Sequence, residues 1–390
     1  MLGLCLQRFG IVLTCFAYLL LVGVSAAENN SSVSLTAREW PKLLRQAQHG
    51  DHKAQTRVAI AFMDGEVVKQ DFAEALKWFS EAAKHADPIA EWNLGLMYYL
   101  GQGVERNVSV AVQWFELAAS QGVPEAQFNA ANLYETGIGV QQNLGRAFQL
   151  YREAADSGFA PAQNNLGHMY ANGEGVTRDP VAAVKWYMKS AMQGDRRAQF
   201  NLAVMYSKGS GVPQNFGKAA EWVERSAKQG DREAETALGE LYLGGWGVHQ
   251  DDLLAAFWLQ KGASQGDPTA QTKLGLLYLN GRGVAHDDAL GAMWLSQAAE
   301  QAQHEAQAKL ALLYEWGRGV PRDLNLAYFW QLLSTDGSNT EPSQQLHDLA
   351  GSMSAENVAA AERHVSEWRV AHPAKSPAEF NALVGVRPVQ

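Results

Sequence analysis

Cysteine is almost missing from this chain. Two occur in 390 residues, Cys5 and Cys15. Both fall in an N-terminal stretch that reads as a leader, so the rest of the chain carries no thiol. That excludes a disulfide framework, a zinc–thiolate site and a cysteine nucleophile, and leaves packing to hold the fold. A basic surplus is also missing. Lys and Arg number 32 against 41 Asp and Glu, a net charge of -9. Nucleic-acid phosphates need clustered cations, so nucleic acid is not an expected partner. No block of like charge suggests a tail or a membrane patch. Beyond the leader, no apolar run is long enough to span a bilayer. What remains is 47% hydrophobic and 19% charged, an ordinary globular composition.

The leader is a separate object. Arg8 is the only charge before an apolar run from Phe9 to Val24, followed by Ser25-Ala26-Ala27 and the polar Glu28-Asn29-Asn30-Ser31-Ser32. This order describes a secretory signal peptide cut near Ala27, with an uncleaved anchor as the alternative. No Cys follows, so a lipoprotein anchor is not expected. The expected location is periplasmic or secreted.

Gly-x-Gly pairs could mark phosphate cradles. Here they occur at 101/103, 137/139, 173/175, 209/211, 245/247, 281/283 and 317/319, each 36 residues after the last. Seven copies at one spacing are a structural joint. Other columns share the period. Ala stands at 54, 90, 126, 162, 198, 234, 270 and 306, and an aromatic follows eight residues later, from Phe62 and Tyr98 to Tyr314. An apolar–small pair such as Leu94-Gly95 or Leu166-Gly167 lies between them. These offsets share one helical face.

A second helix starts after each turn. Asp71, Asn107, Asn143, Asp179, Asn215, Asp251, Asp287 and Asp323 stand at its N-cap, where a side-chain oxygen accepts from backbone N–H groups. Seven residues on comes Trp78, Trp114, Trp186, Trp222, Trp258, Trp294 or Trp330, with Leu150 in their place once; these read as inter-helix core. Gly122, Gly158, Gly194, Gly230 or Gly266 closes the helix in the left-handed conformation. The units run 51–86, 87–122, 123–158, 159–194, 195–230, 231–266, 267–302 and 303–337. Val67 replaces the second glycine of the first unit. Outside the array, residues 28–50 comprise a short segment and a capping helix over Trp40–Gln48. Residues 338–371 comprise a loop and a second capping helix starting at Ser354, and 372–390 form a loose tail. The expected fold is all-α, a solenoid of about eight 36-residue helix-turn-helix repeats with capping helices at both ends.

The column set Ala162, Leu166, Gly167, Tyr170, Gly173, Gly175, Val176, Asp179, Ala183, Trp186, Ala191 and Gly194 resembles the Sel-1-like repeat, a relative of the tetratricopeptide repeat. The resemblance covers residues 51–337. It implies a right-handed α-solenoid that scaffolds protein partners. In exported bacterial members it implies host contact, envelope signalling, or assembly of exopolysaccharide or cell-wall machinery. A cysteine-stapled branch of the family does not fit this chain.

No catalytic motif emerges and no cofactor is expected. His49 and His52 are the only histidine pair close enough in sequence to share a metal, and they read as solvated turn residues, so no metal site is expected either. The paired Asp251-Asp252 and Asp287-Asp288 follow the period and read as caps. A partner is expected along the concave face, on first-helix positions outside the core columns. Trp92, Asn93, Phe128, Asn129, Asn132, Asn165, His168 and Asn201 combine aromatic anchors with amides suited to a peptide backbone. The same Asn column has a structural alternative, bonding the neighbouring helix. A glycan partner, peptidoglycan or exopolysaccharide, is the alternative to a protein.

Overall fold

A computed structural model describes residues 35–335 and 344–372. The leader, most of the expected loop and the tail from residue 373 lie outside the described residues. Among the described residues there are nineteen helices and no strand. They divide into two compact units, one ending at Ala198 and the other beginning at Gln199.

The first unit opens with α1 (Trp40–Gln48) and continues as helix pairs. These are α2 (His52–Asp64) with α3 (Phe72–Ala83), α4 (Pro88–Leu100) with α5 (Val108–Ser120), α6 (Pro124–Thr136) with α7 (Leu144–Asp156), and α8 (Ala160–Asn172) with α9 (Pro180–Met192). The boundary falls inside α10 (Arg196–Lys208), whose second helix is α11 (Phe216–Ala227). Then come α12 (Arg232–Gly244) with α13 (Asp252–Ser264), α14 (Pro268–Asn280) with α15 (Asp288–Glu300), and α16 (His304–Trp316) with α17 (Leu324–Ser334). The described chain closes with α18 (Gln344–Gly351) and α19 (Ala355–Ala371).

Each pair is held by one repeated turn. All eight expected N-cap side chains accept from backbone N–H groups of the second helix. The cap's own N–H donates to the carbonyl of the aromatic column, as from Asn107 to Tyr98 at 2.9 Å and from Asp179 to Tyr170 at 2.8 Å. The two glycines of the turn do different work. Gly173 (φ +79°) ends α8 in the left-handed conformation. Gly175 (φ +66°) lies against the preceding repeat, where a Cβ would collide with the carbonyl of Leu144. The first repeat has no second helix before it, which is why Val67 can stand there.

The deep core differs in one respect from the expectation. The tryptophans sit at its edge: Trp222, Trp258 and Trp330 are buried, while Trp78, Trp114, Trp186 and Trp294 are half-buried. Cations cover several of them, with Lys189 Nζ 3.8 Å from the Trp186 ring centroid and Arg225 Cζ 4.3 Å from that of Trp222. The next position along the helix is the deeper one. Phe79, Phe115, Tyr151, Tyr187, Val223, Leu259 and Leu295 are each at most 1% exposed. The small first-helix column faces it, and a Cβ on Gly95 would lie 2.5 Å from two carbons of the Phe115 ring.

A glutamine ladder that the sequence reading passed over joins the repeats. Gln163 Nε2 donates to the Ala155 carbonyl at 3.1 Å, and Gln193 donates to Gln163 Oε1 at 2.8 Å. In the second unit Gln271 and Gln301 repeat both bonds. Glu91 and Glu235 occupy the same column and accept from Gln121 and Gln265. The ladder satisfies carbonyls at helix C-termini, which have no partner inside their own helix.

At the C-terminal end, Ser354 caps α19 as expected, accepting from Asn357 N–H at 3.2 Å. His364 stacks on Phe329 at 4.7 Å between centroids, and Val365 is buried against α17. Between the expected loop and α19 stands a helix that was not expected, α18, with Leu346 and Leu349 buried three residues apart. Asp252 and Asp288, expected as caps only, pair across repeats with Arg282 and Arg318 at 2.7 and 2.8 Å.

Candidate functional site

The eight residues expected to meet a partner are mostly inside the chain. Trp92, Asn93, Phe128, Asn129, Asn132 and Asn201 are each no more than 9% exposed. Asn93 donates to the Ile89 carbonyl at 2.8 Å, within α4. Asn132 donates to the Phe128 carbonyl and accepts from Tyr151 Oη at 2.8 Å. Phe128 packs edge-on against Phe159 at 5.5 Å between centroids. Trp92 Nε1 and Asn129 Oδ1 are buried without a hydrogen-bond partner. Asn165 and His168 keep some exposure. Asn201 belongs to the second unit and the other seven to the first.

Around His168 the first unit gathers a polar cluster. Tyr151 Oη, with one proton to donate, lies 2.6 Å from Glu135 Oε2 and 2.8 Å from Asn132 Oδ1. His168 Nδ1 lies 3.6 Å from Glu174 Oε2, and the Asn172 amide lies 2.8 Å from His168 Nε2. Glu135, His168 and Glu174 each bring one donor atom within 4.8 Å of the other two. Burial raises the Glu135 carboxyl above its ordinary range and lowers His168 to about 4, because a low-dielectric setting disfavours the charged form of either group. Tyr187, 1% exposed, has a hydroxyl without a partner, and its acidity is pushed down by burial and then by the Glu174 charge.

The sequence reading missed this cluster because its members sit in different columns of two repeats. The signal was there: His168 replaces Asn132 at the equivalent position, and Glu174 is the variable residue of its Gly-x-Gly turn.

The second unit shows a different feature. Two outward columns of the second helices change character along the chain. They read Glu74, Val110, Arg146, Ala182 and Lys218, and Lys77, Gln113, Gln149, Lys185 and Glu221, in the first five repeats. They then turn apolar: Leu254 and Phe257 on α13, Leu290 and Met293 on α15, Leu326 and Phe329 on α17. On α17 the columns are covered, with Phe329 4% exposed beneath α19. On α13 and α15 they are open, with Leu254, Phe257, Leu290 and Met293 between 37% and 52% exposed.

The eightfold unit with its two-glycine turn decides the family. A family model described as Sel1 repeat matches residues 52–87, 88–123, 124–159, 160–195, 196–231, 232–267, 268–302 and 304–334. The chain belongs to the Sel1 repeat family. It is similar to the crystal structure of a Sel1 repeat protein from Oxalobacter formigenes, at 32% identity over 80% of this chain and 90% of that one, with a TM-score of 0.60. It is also similar to a protective antigen present in uropathogenic Escherichia coli strains and displaying an SLR fold. There the identity is 25%, over 90% of this chain and 98% of that one, with a TM-score of 0.53. Among curated proteins the chain matches none. Sel1 repeat proteins are scaffolds that typically mediate protein–protein interaction and are generally non-catalytic. Among the described residues, no helix is long and apolar enough to cross a membrane.

Proposed function

We propose that this Sel1 repeat protein is exported and binds a protein partner. It would organise or regulate a cell-envelope complex or contact a host protein. The leader composition supports export. Similarity to a protective antigen of uropathogenic strains supports the host-facing branch.

The observation that carries the binding reading is the open apolar stripe of α13 and α15. Large exposed apolar side chains in two columns that are mostly polar or small in the earlier repeats mark a surface meant to be covered. The same two columns on α17 already lie under a helix of this chain. An amphipathic helix of the partner, laid across Leu254, Phe257, Leu290 and Met293, is the occupant this arrangement fits.

A second reading keeps the partner on the first-helix columns. It is favoured by the unpartnered Trp92 Nε1 and Asn129 Oδ1, which a peptide backbone could satisfy once the side chains turn outward.

In-cell crosslinking of the tagged chain, read by mass spectrometry, tests both. A dominant protein partner lost in Phe257→Asp and Met293→Asp, with unchanged melting, supports the stripe. Loss in Asn129→Ala and Asn165→Ala instead, again with unchanged melting, moves the site to the first helices. Retention on purified peptidoglycan with no protein enriched would replace the protein reading with a glycan one.

A further inference from the structure

We infer that Glu135, His168 and Glu174 form a binding site for one divalent transition-metal ion, of which Zn²⁺ is the reference case. The three side chains come from the last turn of α6, the middle of α8 and the turn that follows α8. Their donor atoms converge on one point, each within 4.8 Å of the others. A tetrahedral ion with ligands at roughly 2.1 Å holds them about 3.4 Å apart, so binding asks each donor to move inward by about an ångström or less. One imidazole and two carboxylates suit zinc or another borderline divalent ion.

A second, independent feature points to the same place. In the third repeat Tyr151 Oη finds its acceptors in Asn132 and Glu135. One repeat later the equivalent positions hold Tyr187, His168 and Ala171. Tyr187 therefore loses its carboxylate acceptor, and its hydroxyl is left buried and unpartnered beside the residues that replace it. Its ring packs against the Cα of Gly167, next to His168, where a Cβ would lie 2.8 Å from Cδ1. A water or hydroxide on the bound ion is the acceptor that this phenol lacks. Asn172 Nδ2 lies 2.8 Å from His168 Nε2 and 3.3 Å from Glu174 Oε1; with Nδ1 on the ion, Nε2 carries the proton, and the Asn172 amide must turn over so that its oxygen accepts from it.

The test uses the untagged full chain, dialysed against zinc and then analysed for bound metal, with Co²⁺ absorption as a coordination signature. We expect one ion per chain, a rise in melting temperature with Zn²⁺, and visible Co²⁺ bands. His168→Asn, which installs the residue of the third repeat, and Glu174→Gln, in a surface turn, should each lower affinity by about tenfold or more. Both should keep the far-UV spectrum. No retained ion overturns the assignment. So does an ion retained equally by both variants, which would place it elsewhere, as at the stacked His52 and His85. If His168→Asn does not fold, Glu174→Gln decides alone.

Discussion

Replacing Gly95 by Ala adds one methyl group to a helix, a change that by propensity should stabilise by about 1 kcal/mol. The structure predicts the opposite sign. The new Cβ would lie 2.5 Å from both Cδ1 and Cε1 of Phe115. Phe115 is fully buried in a core that includes Ala111, Ala118 and Ala126, all at 0% exposure. The first repeat holds Ala59 and Phe79 at the equivalent positions, both at 0% exposure, so Phe115 would have to leave the placement it has beside Gly95. Overpacking of this kind costs about 1–3 kcal/mol. Set against the propensity gain, the net loss is about 1 kcal/mol and at most about 2 kcal/mol. The fifth repeat solves the same contact with Ala203 and Val223, both at 0% exposure. Gly95→Ala combined with Phe115→Val copies that pair. A double-mutant cycle should then show a favourable coupling of about 1–2 kcal/mol. Urea unfolding followed by far-UV circular dichroism gives the stabilities. Because repeat arrays can lose units separately, hydrogen exchange of α4 and α5 amides should accompany it. If Gly95→Ala matches or exceeds the parent in stability, or the two changes add without coupling, the close-packing account of the small column is wrong.

Two further outcomes are expected. Ala86 and Ala302 hold φ values of +53° and +60° in a column that is otherwise glycine. A Cβ at Gly122, Gly158, Gly194, Gly230 or Gly266 meets nothing within 4 Å, so the cost at the alanines is backbone strain alone. Ala86→Gly and Ala302→Gly should each stabilise by about 0.5–1 kcal/mol after the unfolded-state entropy of glycine is subtracted, read as a rise in melting temperature. Burial raises Glu91 and Glu235 above their ordinary value of 4.5. The folded state therefore holds their protons more tightly than the unfolded chain, and the stability they contribute falls as pH rises from that value towards neutrality. Glu91→Gln and Glu235→Gln keep the acceptor for Gln121 and Gln265, so both should flatten this part of the pH–stability curve and be at least as stable at pH 7.

The repeat was legible because its chemistry is local. A cap oxygen reaches N–H groups two and three residues away, and a glycine beyond a helix needs only its own φ. Such constraints leave a mark at fixed sequence offsets. The glutamine ladder was legible in principle, since Gln55, Gln127, Gln163, Gln199, Gln271 and Gln307 share a column, but its meaning needs partners 8 and 30 residues away. The tryptophan column was read one residue off the true core, because periodicity identifies a face of a helix but not which of two neighbours lies deeper. The expected amides point inward for a related reason. A first helix packed on both sides buries most of its circumference, so positions outside the apolar columns are still enclosed. The Glu135, His168 and Glu174 cluster sits in columns that vary from repeat to repeat, and periodic reading passes over such columns.

The second glycine of each turn carries a sense of direction. Gly175 rests on Leu144, Gly247 on Phe216, Gly283 on Asp252 and Gly319 on Asp288. In every case the later repeat supplies the notch and the earlier one the surface that fills it. A chain emerging from its N-terminus therefore always presents a finished seat before the unit that will occupy it has appeared. The two ends are chemically unlike for the same reason. The first repeat has nothing to straddle and can dispense with its notch, while the last leaves a seat that α18 and α19 must fill from a different design. Lengthening such a chain by whole units needs no new joint, provided that the terminal pair stays last.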